Sequence, residues 1–492
     1  MASRALPVQG PVGGLPLDPD AARLRELGYD QELRRGLRVF DNVAMGFAAI
    51  SPVVGLYAVV FVGLTVAGPA WVWVLPVSLA GQCLLLFVYS ELASQFPIAN
   101  GAYQWSRRLL GPRYGWFNGW VAICAFAVAN TTIAYLGAPW ALTLFGIAPT
   151  ANAIVVTGLV MVVFCSAVGG WGIDALRRAV KVGIAAEALA SVGIGLTLLL
   201  AFRSQDVSIL SESLGAESLS GGSTTAAFLA ALAVGGWVFI GFDACVATAE
   251  ETRDAARHVP RAVWFALLSV GMVVILNAFA TTLAHPDPAA VVAGKDVDPV
   301  TTAVVTSFGS WSTKPFAAVV LVGFLACGMA AQGLTARAIY SIARDDVLPA
   351  SRFLRTVDSR QVPRGALVAT TAVACLGMLL GLNSAAIGSL ITFGTAGIYV
   401  AFLLVALAAL IARVRGTWKP AGRVRLGRAG VVLNAAAVAW LAFETINIAW
   451  PRESLAPPGA PFYQVWAAVI VLAIIGLVGL AYLFVAKPDR KL

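Results

Sequence analysis

Ser51-Pro52-Val53-Val54-Gly55 interrupts an apolar segment over 42–66, and Gly235-Gly236 with Ile240-Gly241-Phe242-Asp243 interrupts a second over 224–248. Proline has no amide proton and clashes with the preceding helical turn, while glycine frees the backbone. In hydrocarbon, an unwound backbone persists only where protein or a water-filled cavity satisfies its polar groups. Two breaks at matching places in two halves of a chain are the sequence mark of a transporter's substrate site.

The rest of the composition agrees with a membrane setting. Of 492 residues, 59% are hydrophobic and 12% charged, with mean hydropathy +0.83; soluble domains carry about 25% charged residues. Apolar runs long enough to cross about 30 Å of hydrocarbon fall at 42–66, 70–95, 116–145, 151–171, 178–202, 224–248, 261–284, 314–343, 365–382, 385–412, 428–450 and 462–486. The chain therefore reads as an all-α polytopic membrane protein of about twelve spans. Its net charge of +9 invites an acidic partner such as nucleic acid, but the placement of the charge argues otherwise. With the N-terminus inside, the cytoplasmic segments hold 30 of the 34 Lys and Arg, leaving Arg203, Lys295, Lys314 and Arg452. That asymmetry places both termini in the cytoplasm and the protein in the cytoplasmic membrane. Residues 1–40 are polar, without the apolar core of a signal peptide, and read as a cytoplasmic tail. All six cysteines fall within spans, and the two histidines, His258 and His285, fall in loops. No metal-ligand cluster, phosphate loop or Cys-x-x-Cys is present, so neither a cofactor nor a metal is expected, and an enzyme has little to work with.

Four further stretches carry a resemblance. They are Ser90-Glu91-Leu92-Ala93-Ser94-Gln95-Phe96-Pro97 with Asn100-Gly101-Ala102-Tyr103-Gln104-Trp105; Gly115-Trp116-Phe117-Asn118-Gly119-Trp120; Phe239-Ile240-Gly241-Phe242-Asp243 with Glu250-Glu251-Thr252; and Ala343-Arg344-Asp345-Asp346-Val347-Leu348-Pro349. In this order, and at these span ends, the chain resembles the amino acid–polyamine–organocation (APC) superfamily of permeases, most of all its amino acid/choline transporter branch, over roughly 38–486. The resemblance implies a LeuT-like fold: a five-plus-five inverted repeat with discontinuous helices 1 and 6. It divides the chain into the tail over 1–40, a transporter core over 41–413 built of repeats at about 41–202 and 224–413, two more spans over 414–486, and a cytoplasmic C-terminus over 487–492. The first break, Ser51-Pro52-Val53-Val54-Gly55, departs from the Gly-Ser-Gly type of many relatives, and Pro52 contributes no amide to a carboxylate clamp.

The ends of broken helices suggest how a ligand is held. A half-helix N-terminus offers free amides to an anionic group, and unwound carbonyls suit an ammonium. The expected substrate contacts are the backbones of Ile50, Ser51, Val54 and Gly55 in the first span and of Phe239, Ile240, Gly241 and Phe242 in the sixth. Phe239 and Phe242 can also roof the site, since aromatic faces attract ammonium groups. Asp243 is the acid within the apolar body of the sixth span, and Asn130 belongs to a polar cluster with Thr131 and Thr132 in the third. Related permeases place an ionisable residue on helix 5 near a vacant sodium site, which makes Glu187 the candidate for proton coupling; Lys181, six residues earlier, is the alternative. Glu91, Arg107, Glu250, Glu251 and Arg257 lie at helix ends on the cytoplasmic side, where ion pairs can hold an inner gate.

The expected function is a secondary active transporter importing an amino acid or related amine by alternating access, coupled to protons. An amino acid/amine exchanger, or a permease for choline, GABA or polyamine, is the alternative. A channel would show a ring-forming or repeated filter motif, and a membrane enzyme would show clustered acids or histidines; neither pattern is in the sequence.

Overall fold

The computed structural model describes residues 19–456 and 459–491, with backbone alone over 384–393. Among these, twelve helices are long and apolar enough to cross a membrane. The first, α1, is in pieces: Val39–Ile50, Pro52–Tyr57 and Val60–Ala67. The break has a local cause. The Ala48 carbonyl would bond the amide of residue 52, and proline has none. Ser51 instead turns to φ 50° and ψ 113°, and its hydroxyl accepts from the Val54 amide.

The helical run Val60–Gln95 is 36 residues long, about 54 Å if straight and nearly twice the hydrocarbon thickness. Gly68, at φ 62°, divides it, so α1 ends at Ala67 and α2 is Val74–Gln95. The remaining spans are α3 (Pro112–Phe145), α4 (Ala151–Gly170), α5 (Ile173–Ala201), α6 (Thr224–Ala247), α7 (Ala255–Ala284), α8 (Ser310–Ala343), α9 (Arg364–Leu382), α10 (Ser384–Val414), α11 (Gly427–Ala449) and α12 (Ala467–Ala486). Helix α5 starts at Ile173 rather than near 178, so Arg177, Arg178 and Lys181 lie inside its first turns. Long basic side chains can do this because their stems stay apolar while their heads reach water.

In α6, the two glycines convert the helix to a tighter 3-10 turn over Gly236–Phe239. Ile240 is extended (φ −98°, ψ 159°), Gly241 takes φ 106°, and helix resumes only at Ala244. Helices α2, α3 and α4 pack on α7, α8 and α9 respectively, each on the member five places later. This is the pairing of an inverted repeat, and the architecture is the LeuT-like fold with discontinuous helices 1 and 6.

The segment before α1 is docked rather than a free tail over 19–38; residues 1–18 lie outside the described residues. It begins with a short helix, Pro19–Glu26, and buries Leu24, Leu33 and Leu37. Leu37 pairs with Thr252 in an isolated parallel bridge, so this segment crosses the end of the bundle just below the α6 break.

Candidate functional site

A cavity of about 40 Å³ lies between the two breaks, room for about three waters. Its wall is formed by Ala49, Ile50 and Val54 of α1, Trp237, Ile240, Gly241 and Asp243 of α6, and residues of α3, α8 and α10. Backbone chemistry dominates the α1 side. Ala48 has lost its helical donor to Pro52, and Ile50 has lost its own because the Val54 amide is bonded to the Ser51 hydroxyl (3.1 Å). The Gly55 amide is also taken, by the Ser51 carbonyl at 2.8 Å. The carbonyl end of the first half-helix therefore has acceptors to spare, while the amides of Val54 and Gly55 are satisfied inside the turn. That balance suits an ammonium more than a carboxylate at this break.

Asp243 is buried on the cavity wall, and its Oδ1 has no hydrogen-bond partner. A buried carboxylate oxygen without a donor carries a desolvation penalty, which an incoming cation or donor relieves. Gly241 is required where it stands: a Cβ there would lie 2.6 Å from the Ala49 carbonyl oxygen, besides the positive φ. Behind the break, the Tyr399 hydroxyl donates to the Gly236 carbonyl (3.2 Å) and accepts from Gln82 (2.6 Å), pinning the 3-10 turn to α10 and α2.

Of the ten residues expected to contact substrate, Ile50, Val54, Ile240, Gly241 and Asp243 line the cavity. Ser51, Gly55, Asn130, Phe239 and Phe242 do not. Phe242 instead stacks on Phe402 (ring centroids 5.0 Å) and meets Tyr89 edge-on (5.5 Å). Asn130 sits one layer back and donates to the Thr335 hydroxyl at 2.8 Å. The aromatic residue that α6 brings to the wall is Trp237, which the sequence reading passed over because it lies between the two marked glycine signals. Phe126, Ala129 and Ile133 of α3 and Cys327, Ala331, Leu334 and Thr335 of α8 also line it. Their three- and four-residue spacing was visible in the sequence, but such spacing marks any packed helix face.

Glu187 is buried on α5, and its Oε1 accepts from the Ser51 hydroxyl at 2.6 Å. Because that hydroxyl also caps Val54, one side chain links the carboxyl to the α1 break. Gly323 of α8 faces the same carboxyl: a Cβ there would come within 3.1 Å of Oε1. Glu187 thus stands where α1, α5 and α8 meet. The next residues, Ala188–Ile194, form a π-helical turn, a distortion that recurs at functional sites. Lys181 is elsewhere: it is exposed and paired with Asp41 of α1 at 2.8 Å.

At the face of the bundle carrying the N-terminal segment, the charges pair differently from the sequence grouping. Glu251 binds Arg337 of α8 through two hydrogen bonds, one of them 2.9 Å. Glu250 binds Arg344 the same way, at 2.7 and 3.0 Å. All four side chains are buried. Burial opposes the Arg344 charge, but Glu250 more than offsets it, holding the guanidinium above its ordinary pKa. Arg257 is exposed and joins no ion pair among the described residues. Glu91 pairs with Arg413 of α10, not with Arg107, and accepts from the Leu426 amide at 2.9 Å. Arg107 pairs with Asp345 at 2.6 Å.

Tyr29 of the N-terminal segment sits over this network. Its hydroxyl donates to Asp345 (3.0 Å) and accepts from Arg107 and Gln104 (both 3.1 Å), and Arg344 lies 3.7 Å above its ring. Tyr103 donates to the same Asp345 (2.6 Å); burial and that carboxylate push its hydroxyl well above the ordinary range, so it stays a donor.

Comparison with known proteins agrees with this geometry. A family model described as amino acid permease matches residues 37–480. The chain is 27% identical over 482 residues to an amino-acid permease BAT1 homolog of Oryza sativa, covering 88% of each chain. It is also 27% identical over 485 residues to the amino-acid permease BAT1 of Arabidopsis thaliana, covering 88% of this chain and 89% of that one. It is 24% identical over 383 residues to the low-affinity putrescine importer PlaP of Escherichia coli K12, covering 77% of this chain and 81% of the relative. With twelve apolar helices, two of them broken around a common cavity, and a family match over most of its length, the chain belongs to the amino acid permeases of the APC superfamily, a multi-pass membrane transporter and not an enzyme.

Proposed function

We propose that this permease imports an amino acid or a related amine across the cytoplasmic membrane by alternating access, driven by protons, with the N-terminal face in the cytoplasm. The observation that carries this reading is the single hydroxyl of Ser51, which joins the buried Glu187 carboxyl to the α1 break beside the cavity. A carboxylate buried away from a counter-charge costs several kcal/mol by rough estimate. Carrying a proton into this junction removes that cost. Releasing the proton restores it and disfavours the packing of α1 on α5 and α8, so the proton and the α1 break move together. Substrate ammonium would be held by the spare carbonyls of α1 and by Asp243, and Trp237 would close over it.

The ion pairs Glu250–Arg344, Glu251–Arg337 and Arg107–Asp345, with Tyr29 laid across them, would form the inner gate. Glu91 would brace α2 against α10 and the loop before α11. The amine assignment rests on the cavity chemistry and on relatives named for amino acids and for putrescine.

The test is uptake of labelled amino acids, GABA, choline and putrescine into proteoliposomes with and without an inward proton gradient. Saturable uptake that concentrates one amine above equilibrium only with the gradient is expected. Glu187→Gln should retain exchange of that substrate but lose gradient-driven accumulation. Non-saturating flux would refute a carrier, and full accumulation by Glu187→Gln would remove Glu187 from coupling.

A further inference from the structure

A second cavity, of about 1020 Å³, opens at the N-terminal face between the start of α1, the start of α5 and the segment leaving α6. Seven basic side chains line it against two acidic ones. The acids are already engaged: Asp41 pairs with Lys181 (2.8 Å) and Arg177 (3.7 Å), and Asp174 with Arg34 (2.8 Å) and Arg177 (3.2 Å). Arg35 pairs with Asp20 at 3.0 Å. Arg38, Arg178 and Arg253 are exposed and join no ion pair among the described residues. The cavity therefore holds a surplus of positive charge, with these three guanidinium groups outside any ion pair among the described residues, Arg178 tied only through Nε to the Asp174 carbonyl (3.3 Å); guanidinium groups of this kind suit phosphate.

The surroundings say which anion. Val39 and Ile173 are the first residues of α1 and α5, so the cavity lies at the N-terminal ends of two spans. Phe40, in its wall, is 81% exposed. Above Arg178, the exposed apolar side chains Val182 and Leu189 continue up α5, at the four- and seven-residue steps that keep side chains on one face of a helix. A soluble phosphate would use the arginines but not these apolar side chains; a phospholipid uses both. We infer that this cavity binds the headgroup phosphate of an anionic phospholipid of the inner leaflet, its acyl chains lying along the exposed face of α5. The bound lipid would bridge the N-terminal segment, α1 and α5, next to the helices that must move for the inner face to open. Basic pockets between spans on the cytoplasmic side are a recognised setting for anionic lipid headgroups.

The leaflet rests on the orientation proposed above, whereas binding can be read without transport. The experiment is native mass spectrometry of the full chain released from nanodiscs of phosphatidylcholine mixed with phosphatidylglycerol. The expected result is selective retention of phosphatidylglycerol, reduced about thirty-fold in Arg38→Gln/Arg178→Gln, each arginine near an anionic surface contributing roughly a factor of five. Arg428→Gln, which removes an exposed charge from the start of α11, should retain the lipid as the unaltered protein does. Equal retention of the two lipids, an equal loss in Arg428→Gln, or displacement of the lipid by millimolar inorganic phosphate would each overturn the inference. The first two would mean diffuse surface attraction, and the third a site for a soluble anion. Both arginines are exposed, and a melting curve matching that of the unaltered protein confirms that the double variant is folded.

Discussion

Gly241 carries two constraints at once: a backbone at φ 106° and a carbonyl oxygen of Ala49 where a Cβ would go. A non-glycine residue at positive φ costs on the order of 1–2 kcal/mol, and the clash at 2.6 Å must also be relieved by moving α1 away from α6. Gly241→Ala should therefore lower thermal stability in detergent and abolish substrate uptake, whereas Gly294→Ala, at positive φ in open space, should only lower stability slightly. Ser51 offers a second contrast. Ser51→Ala deletes both the cap on Val54 and the donor to Glu187. Loss of a cap alone costs about 0.5–2 kcal/mol, but the expected signature is functional: Ser51→Ala should shift the external pH at which uptake is half-maximal, and Ser51→Cys, which keeps a donor without a β-branch at this positive φ, should shift it less. An unchanged pH profile in Ser51→Ala would separate the proton from the break.

Among the elements, the N-terminal segment and α8 meet at the end of the bundle where the gate is proposed. The buried pair Arg337–Glu251 joins α8 to the turn after α6. Removing one member of such a pair leaves a buried charge, at a cost of about 3–5 kcal/mol. Arg337→Ala should thus be severely destabilised, and Arg337→Met/Glu251→Leu should recover much of the loss in a melting experiment. Tyr29 contributes differently: it makes several bonds across the network without itself being charged. Each such bond is worth about 1 kcal/mol, so losing these three in Tyr29→Ala should open the inner face on the order of a hundredfold more often. Cys327, buried on the cavity wall, supplies the readout. With the other five cysteines replaced, its labelling by a thiol reagent applied from the N-terminal side should speed up in Tyr29→Ala. An unaltered rate would show that the segment rests on the gate without holding it.

For the molecule as a whole, a ligand that binds only the native state raises stability by about 2.7 kcal/mol at a hundredfold excess over its Kd. The amine that this permease carries should raise the melting temperature with concentration. Asp243→Asn should weaken that response, because an amide cannot pair with an ammonium as a carboxylate can. A response retained in full by Asp243→Asn would shift recognition to the carbonyls of α1 alone. The cavity of about 40 Å³ must widen to admit any such molecule, so uptake and cavity-side labelling of Cys327 should compete.

The sequence by itself determined the number of spans, the two breaks and the family, because a membrane makes these local properties. A proline in an apolar helix cannot satisfy the carbonyl four residues before it, and no tertiary contact changes that. Asp243 and Glu187 stood out for the same reason, as acids in hydrocarbon. Only the tertiary structure decided partners. Glu250 and Glu251 chose Arg344 and Arg337 over the nearer Arg257, since α8 brings guanidinium groups into a buried layer while Arg257 stays in water. Trp237 rather than Phe239 or Phe242 reached the cavity, because a 3-10 turn rotates its side chains differently from the α-helix that spacing assumes. The docking of residues 19–38 was equally hidden: polar residues with four scattered leucines read as a tail until the mouth of the bundle supplies a surface that buries three of them.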